Sequence, residues 1–150
     1  MPAIISVAFL IAALIIFPVG NPPRAQDASL ADHLLEAVVK VSTKVPADAR
    51  TVRNLGTERE GSGVVIDGNG LVLTIGYVML EAISAEIGLA GGRTVPAALV
   101  AYDHDTGFGL LRAAAPLGVK PMELGDSKHL TARDQVLVAS FGGKSSLMGA

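Results

Sequence analysis

Several residue types that often carry a function are scarce or missing in this chain of 150 residues. There is no cysteine, which excludes a disulfide framework, a thiolate zinc site and a cysteine nucleophile. Tryptophan is also absent and aromatic residues make up only 4% of the chain, so the core must be built from small aliphatic side chains. Twelve Lys and Arg against fourteen Asp and Glu give a formal charge of -2, with no basic run to line a phosphate backbone. We therefore expect no nucleic-acid partner.

Apolar residues, by contrast, make up half of the chain, which predicts a folded domain. The most apolar stretch runs from Ala3 to Val19 and is followed by Pro22 and Pro23, which break a helix. Such a segment is typical of an export signal, so residues 1–25 are interpreted as a signal peptide.

The alternative for residues 1–25 is a retained membrane anchor. The segment has no Lys or Arg near its start, and Pro23 stands where a cleavage site after Ala25 would have a small residue. As a helix, the apolar stretch is only slightly shorter than a hydrocarbon core of about 30 Å. Both interpretations predict an exported protein, periplasmic or extracellular, that contacts the membrane only if the segment is uncleaved.

The distribution of glycine divides the chain into two parts, because only one of its 17 glycines precedes Gly56. Before that point, apolar residues at helical spacing predict a short helix within residues 26–37, from about Ala28. Residues 38–45 alternate apolar and polar side chains, which predicts a strand with Val39, Val41 and Thr43 on one face. The polar residues 46–60 predict a loop.

Short β runs separated by glycine turns follow from Gly61 onward. Asp67-Gly68-Asn69-Gly70 predicts a hairpin turn, in which Asn-Gly supplies positive φ angles. The spacing of the runs indicates an antiparallel barrel or sandwich. Strands are predicted at residues 63–67, 71–74, 83–89, 95–102, 108–113 and 135–141, and a single helical turn at 77–82. The side chains expected to be buried are Ile66, Val72, Leu73, Ile87, Val100, Leu111 and Val138.

Three motifs in this part resemble the HtrA/Do-type trypsin-like serine proteases. The resemblance lies in Gly61-Ser62-Gly63-Val64-Val65-Ile66-Asp67 with Gly70-Leu71-Val72-Leu73-Thr74 and Tyr77-Val78, in Val100-Ala101-Tyr102-Asp103 with residues 106–112, and in Leu124-Gly125-Asp126-Ser127 with residues 134–139. It covers about residues 38–143. It implies an all-β fold with a complete trypsin-like (chymotrypsin-type) antiparallel β-barrel over residues 38–128 and a second barrel begun at residues 129–150 and truncated.

The chemistry of that family requires a serine, an imidazole that takes its proton, and a carboxylate that orients the imidazole. The resemblance places Tyr77 where the family has its histidine and Gly107 where it has its aspartate. The serine belongs to a loop deeper in the second barrel, which these residues do not include. No catalytic residue is therefore assigned, and Tyr77 and Gly107 are degenerate positions of a family member predicted to be inactive.

Two other motifs suggest a bound ligand, but neither meets the requirements of its site. Gly142-Gly143-Lys144-Ser145 looks like the end of a phosphate-binding loop, but Val138 stands where that loop needs its first glycine. Asp103, His104 and Asp105 offer metal-ligand side chains, but alternating residues on an extended loop rarely converge on one ion. We expect neither cofactor nor metal.

The sequence thus favours an exported, serine-protease-like protein without protease activity, a pseudoenzyme that binds polypeptide or another protein chain. Two alternatives stay open: a fragment of an endopeptidase active in protein quality control, and a membrane-anchored binding or structural barrel. Because the family fold places the partners of strand 135–141 beyond Ala150, we also expect self-association through that strand.

Overall fold

The computed structural model describes residues 34–134, 136, 138–142 and 146–149. The predicted signal or anchor segment, 1–25, lies outside these residues, as does most of the predicted helix in 26–37, of which residues 34–36 are described and helical. Across the described part of the chain, no helix is long and apolar enough to cross a membrane.

Strands dominate the described residues, in agreement with the all-β prediction. The order of elements is β1 (Val38–Lys44), α1 (Val52–Leu55), β2 (Glu58–Val65), β3 (Leu71–Ile75), a 3-10 turn (Gly76–Val78), β4 (Ser84–Gly88), β5 (Thr94–Tyr102), β6 (Phe108–Ala113), a second 3-10 turn (Ser127–His129), β7 (Ala139–Gly142) and β8 (Ser146–Gly149).

The first six strands close into an antiparallel barrel in the order β1-β2-β3-β6-β5-β4. Closure pairs β1 on both sides, with β2 and with β4, so the barrel has no open sheet edge. Val39, Val41 and Thr43 of β1 point inward as predicted, and Lys44 is exposed. The side chains at the centre are mainly Val, Leu and Ile, as expected for a chain so poor in aromatic residues.

The predicted loop over residues 46–60 is wrong at two places. Val52–Leu55 forms a short helix, and β2 begins at Glu58 rather than at Gly63. The extra residues of β2 pair with the end of β1, with Thr43 opposite Arg59. This pairing is between distant parts of the chain, so the polar sequence around Arg59 gives no local sign of a strand.

The β2–β3 hairpin turns at Asp67–Gly70 as predicted, but its geometry differs from the prediction. Only Gly70 has a positive φ, 76°, whereas Asn69 does not. The Gly70 N–H donates to the Asp67 carbonyl at 3.3 Å. Asp67 Oδ1 also accepts the N–H groups of Asn69 at 2.9 Å and Leu71 at 2.7 Å, so the aspartate side chain defines the turn.

Of the seven side chains predicted to be buried, Val72, Ile87 and Leu111 are fully buried. Ile66 and Leu73 are half-buried. Val100 is 52% exposed, and that prediction is wrong because the register of β5 shifts between Leu99 and Ala101, so Val100 has no partner on β6. Val138 is exposed as well, because β7 starts only after it.

The predicted strand 135–141 is shorter than expected, since β7 spans Ala139–Gly142. It pairs with β8 and lies against β1 and β2. The Phe141 N–H donates to Ser62 Oγ of β2 at 2.9 Å. The premise that this segment lacks backbone partners within the chain is therefore wrong for β7, and self-association through it stays a prediction.

Candidate functional site

Tyr77 and Gly107, the two positions predicted to be degenerate, lie side by side. Tyr77 belongs to the 3-10 turn that follows β3, and Gly107 precedes β6, which pairs with β3. The Gly76 N–H donates to the Gly107 carbonyl oxygen at 2.7 Å, which joins the two turns directly. The structure thus brings together two positions separated by 30 residues, as an imidazole and the carboxylate that orients it would require.

Tyr77 occupies its position as a structural residue. Its side chain is 42% exposed, and its hydroxyl donates to the Glu60 backbone carbonyl at 3.3 Å. Its own carbonyl accepts a hydrogen bond from the Arg59 guanidinium at 2.9 Å. The phenol is therefore directed at β2 and bonded to a backbone oxygen.

Gly107 leaves its position without a side chain. Its φ is 74°, in the left-handed region, and no heavy atom outside its chain neighbours lies within 4 Å of where a Cβ would be. Space for a carboxylate exists, and although most side chains would be strained by about 1 kcal/mol or more in this backbone conformation, Asp and Asn tolerate it best. The position therefore has room for a carboxylate that glycine does not supply.

The acidic loop next to Gly107 is held by its own hydrogen bonds. Asp103 Oδ2 accepts the Thr106 hydroxyl at 2.6 Å, and Oδ1 accepts the Asp105 N–H at 3.1 Å. The Thr106 hydrogen bond, followed by that of Asp105, lowers the pKa of Asp103 below its ordinary value. Asp103 therefore serves to fix the loop. In the described ranges, no group of three or more His, Asp or Glu side chains is placed to hold a metal ion.

Tyr102 fills the space beside Tyr77 and Gly107. No pattern in the sequence predicted this packing. A Cβ added to Gly76 would lie 1.8 Å from Tyr102 Cε2 and 2.9 Å from the Gly107 carbonyl oxygen. Only glycine fits under this ring. The His104 ring packs edge-on against Tyr102, with ring centroids 4.4 Å apart, so this imidazole is part of the same packing.

A buried arginine supports the turn that carries Tyr77. Arg59 is 3% exposed, and its Nη1 donates to the carbonyls of Tyr77 at 2.9 Å and Leu80 at 2.8 Å. Its Nη2 donates to Thr51 Oγ1 at 2.5 Å. The Thr51 hydroxyl in turn donates to Glu81 Oε2 at 2.6 Å, so a neutral hydroxyl links the guanidinium to a carboxylate.

The carboxylate of Glu81 completes this network. It also accepts the backbone N–H groups of Thr51 at 2.8 Å and Arg50 at 3.2 Å. The Thr51 hydroxyl contributes most to lowering the pKa of Glu81 below its ordinary value. Glu81 itself has a φ of 58°, a strained conformation for this residue type. Sequence reasoning had one signal for the network, the charged Arg59 between two glutamates, but that pattern equally describes a solvated loop.

The closed antiparallel barrel of six strands has the trypsin-like peptidase fold. The family model described as a trypsin-like peptidase domain matches residues 61–149, and the chain belongs to that family. Within that family, the chain is similar to HtrA-type proteases.

Two curated relatives show the same relationship. The chain is 34% identical over 96 residues to the serine protease Do-like HtrA of Lactobacillus helveticus, a match that covers 61% of this chain and 23% of the relative. It is 27% identical over 130 residues to the serine protease PepD of Mycobacterium tuberculosis, covering 80% of this chain and 26% of the relative. The chain thus spans about a quarter of the length of these relatives.

Solved structures agree on the fold. The HtrA-type protease AlgW with a tripeptide is 22% identical, with a TM-score of 0.68 over 81% of this chain and 37% of that one. AlgW with a decapeptide is 21% identical, with a TM-score of 0.64 over 81% of this chain and 43% of that one. The trypsin-like, HtrA-type resemblance inferred from the sequence is confirmed.

Proposed function

We propose that this chain is a protease-like barrel that has no peptidase activity of its own. The observation that carries the proposal is the pair of joined turns at which Tyr77 donates to a backbone carbonyl and Gly107 has no side chain. The proposal includes export, on the strength of the apolar segment from Ala3 to Val19.

A tyrosine cannot replace the missing imidazole. A phenol is a much weaker proton acceptor than an imidazole, and it could take a serine proton only if a nearby cation stabilised the phenolate. The guanidinium of Arg59, which is bonded to the Tyr77 carbonyl, donates to carbonyl oxygens and to Thr51 rather than to the phenol. A serine supplied by further sequence would therefore meet neither a base nor an orienting carboxylate.

We expect the protein, expressed from its whole reading frame, neither to react with a fluorophosphonate probe nor to cleave casein. Both readouts need an activated serine, which the joined turns cannot provide. Trypsin is the positive control and the heat-denatured protein the negative control. A serine labelled in the folded protein alone, with casein cleavage that Tyr77→Phe abolishes, would show that the tyrosine acts as a base and would refute the proposal.

Binding of unfolded polypeptide is a second candidate function, favoured by an apolar surface around the degenerate pair. Ile75 is 50% exposed and Phe108 is 53% exposed, and they face each other across the β3–β6 pairing next to Tyr77. Large apolar side chains grouped on a surface are typical of interaction sites. The AlgW structures with bound peptides support polypeptide as the partner.

Phe108→Ser is expected to weaken the binding of fluorescently labelled, unfolded casein by about three- to tenfold, because a partner would bury the exposed half of this side chain and full burial of a phenylalanine contributes about 1.5–3 kcal/mol. Fluorescence anisotropy at a matched protein concentration measures it. The control is Ile83→Ser, which removes another exposed apolar side chain outside this surface and should change the affinity less than about twofold. Equal losses in both variants would mean that the surface around Tyr77 has no special part in binding.

A further inference from the structure

The turn between β2 and β3 contains an asparagine followed by glycine, and the rest of the turn leaves that asparagine free to react. Asn69 is exposed, and among the described residues its side-chain amide makes no hydrogen bond, since only its backbone N–H and carbonyl have partners. The next residue, Gly70, is buried against Ala113, but it has no side chain of its own to crowd the approach of Asn69 to its backbone nitrogen.

The other side chain of similar chemistry in this turn, that of Asp67, is held by hydrogen bonds, whereas within the described ranges the side chain of Asn69 is not. Asp67 is also followed by a glycine, but its carboxylate accepts the N–H of Leu71 at 2.7 Å and the Arg112 guanidinium at 2.9 Å. The Leu71 N–H contributes most to lowering the pKa of Asp67, so this side chain stays ionised and is a poor electrophile. By contrast, the Gly70 N–H has only a long bond of 3.3 Å to the Asp67 carbonyl.

We propose that Asn69 is a site of spontaneous deamidation in the folded protein, with the Gly70 nitrogen as the nucleophile and water as the co-reactant. Solvent base takes the proton of the Gly70 amide, and the nitrogen attacks Cγ of Asn69. The new N–Cγ bond closes a five-membered succinimide ring, while the Cγ–Nδ2 bond breaks and ammonia leaves with a proton from water. A water molecule then opens the ring. Opening at Cγ gives aspartate, and opening at the backbone carbonyl carbon gives isoaspartate.

The product matters because the turn depends on its backbone spacing. Isoaspartate adds a methylene to the main chain between Asp67 and Leu71, the residues whose side chain and N–H define the turn. Either product also adds a carboxylate next to that of Asp67. The Arg112 guanidinium, which already donates to Asp67 and to the Asn69 carbonyl, would then be shared between two carboxylates. We expect the modified hairpin to lose its regular hydrogen bonds and the barrel to become less stable with age.

The chain contains an internal control for this reaction. Asn54 lies in α1, and the residue after it, Leu55, has a large side chain and an N–H that donates to the Thr51 carbonyl at 2.9 Å. Helical backbone holds that nitrogen away from the asparagine side chain, so Asn54 should stay unmodified in the folded protein.

The test is incubation of the folded protein in mildly alkaline buffer, followed by peptide mass spectrometry and an isoaspartate-specific methyltransferase assay. We expect the amide-to-acid mass change at Asn69 and none at Asn54, with the isoaspartate signal lost in Asn69→Ser, a residue that suits the turn. Hydrogen exchange in the same buffer verifies that β2 and β3 remain folded. Modification of both asparagines at the same rate, or of Asn69 only after unfolding in urea, would overturn the proposal.

Discussion

Replacing Arg59 with methionine is expected to lower the free energy of unfolding by about 3–5 kcal/mol, since a buried guanidinium that serves several acceptors at once is lost. The carbonyls of Gly56, Tyr77 and Leu80 and the hydroxyl of Thr51 all accept from this guanidinium. Methionine keeps much of the side-chain volume but donates no hydrogen bond. The loss should appear as a lower urea midpoint with an unchanged denaturant slope.

The matched control for this prediction is Arg112→Met. Arg112 pairs with Asp67, but its side chain is 38% exposed, so water can replace the lost hydrogen bonds. We expect a loss of less than about 1 kcal/mol. Similar losses in both variants would show that the guanidinium of Arg59 is not buried as described.

The second large effect is expected from Gly76→Ala, which should cost about 3 kcal/mol or more because its methyl group meets the Tyr102 ring and the Gly107 carbonyl. In a Tyr102→Ala background the cost should fall by about 2 kcal/mol, since the ring is gone and only the carbonyl remains close. The four proteins form a double-mutant cycle, measured by urea unfolding. Gly125→Ala, with no atom within 4 Å of the added methyl group, is the control and should be near neutral.

An additive cycle would contradict the packing described. If Gly76→Ala costs the same with and without Tyr102, then the ring does not occupy the space over Gly76. The cycle also bears on function, because it measures how far the position next to Tyr77 is closed to any residue larger than glycine.

The sequence alone was sufficient to predict structure where the pattern of apolar and polar residues is local. β6 matches its predicted bounds, Phe108–Ala113, and the inward face of β1 follows from simple alternation. The order of motifs also located Tyr77 and Gly107, which the hydrogen bond from Gly76 then placed together. The strand features depend on periodicity, which can be read over a few residues, whereas the two positions were located through the resemblance of the motifs to the HtrA/Do-type family.

What could not be predicted depends on contacts between distant parts of the chain. Arg59 is buried only because β1 pairs with the polar start of β2 and the turn after β3 covers it. Tyr102 meets Gly76 across 26 residues, and no local pattern marks either residue. Val100 follows the periodicity of a buried strand residue, but a shift of register leaves it outside the core.

The order of strands in the barrel sets the order in which it can be completed during synthesis. Once β5 has emerged, the earlier strands can form an open sheet, β3-β2-β1-β4-β5, whose outermost members are β3 and β5. β6 pairs with both of these strands, so this one strand closes the barrel. Until Ala113 has been made, a nascent chain that forms this sheet therefore presents two unpaired edges, and closure of the barrel requires β6 to pair with strands that lie far apart in the sequence.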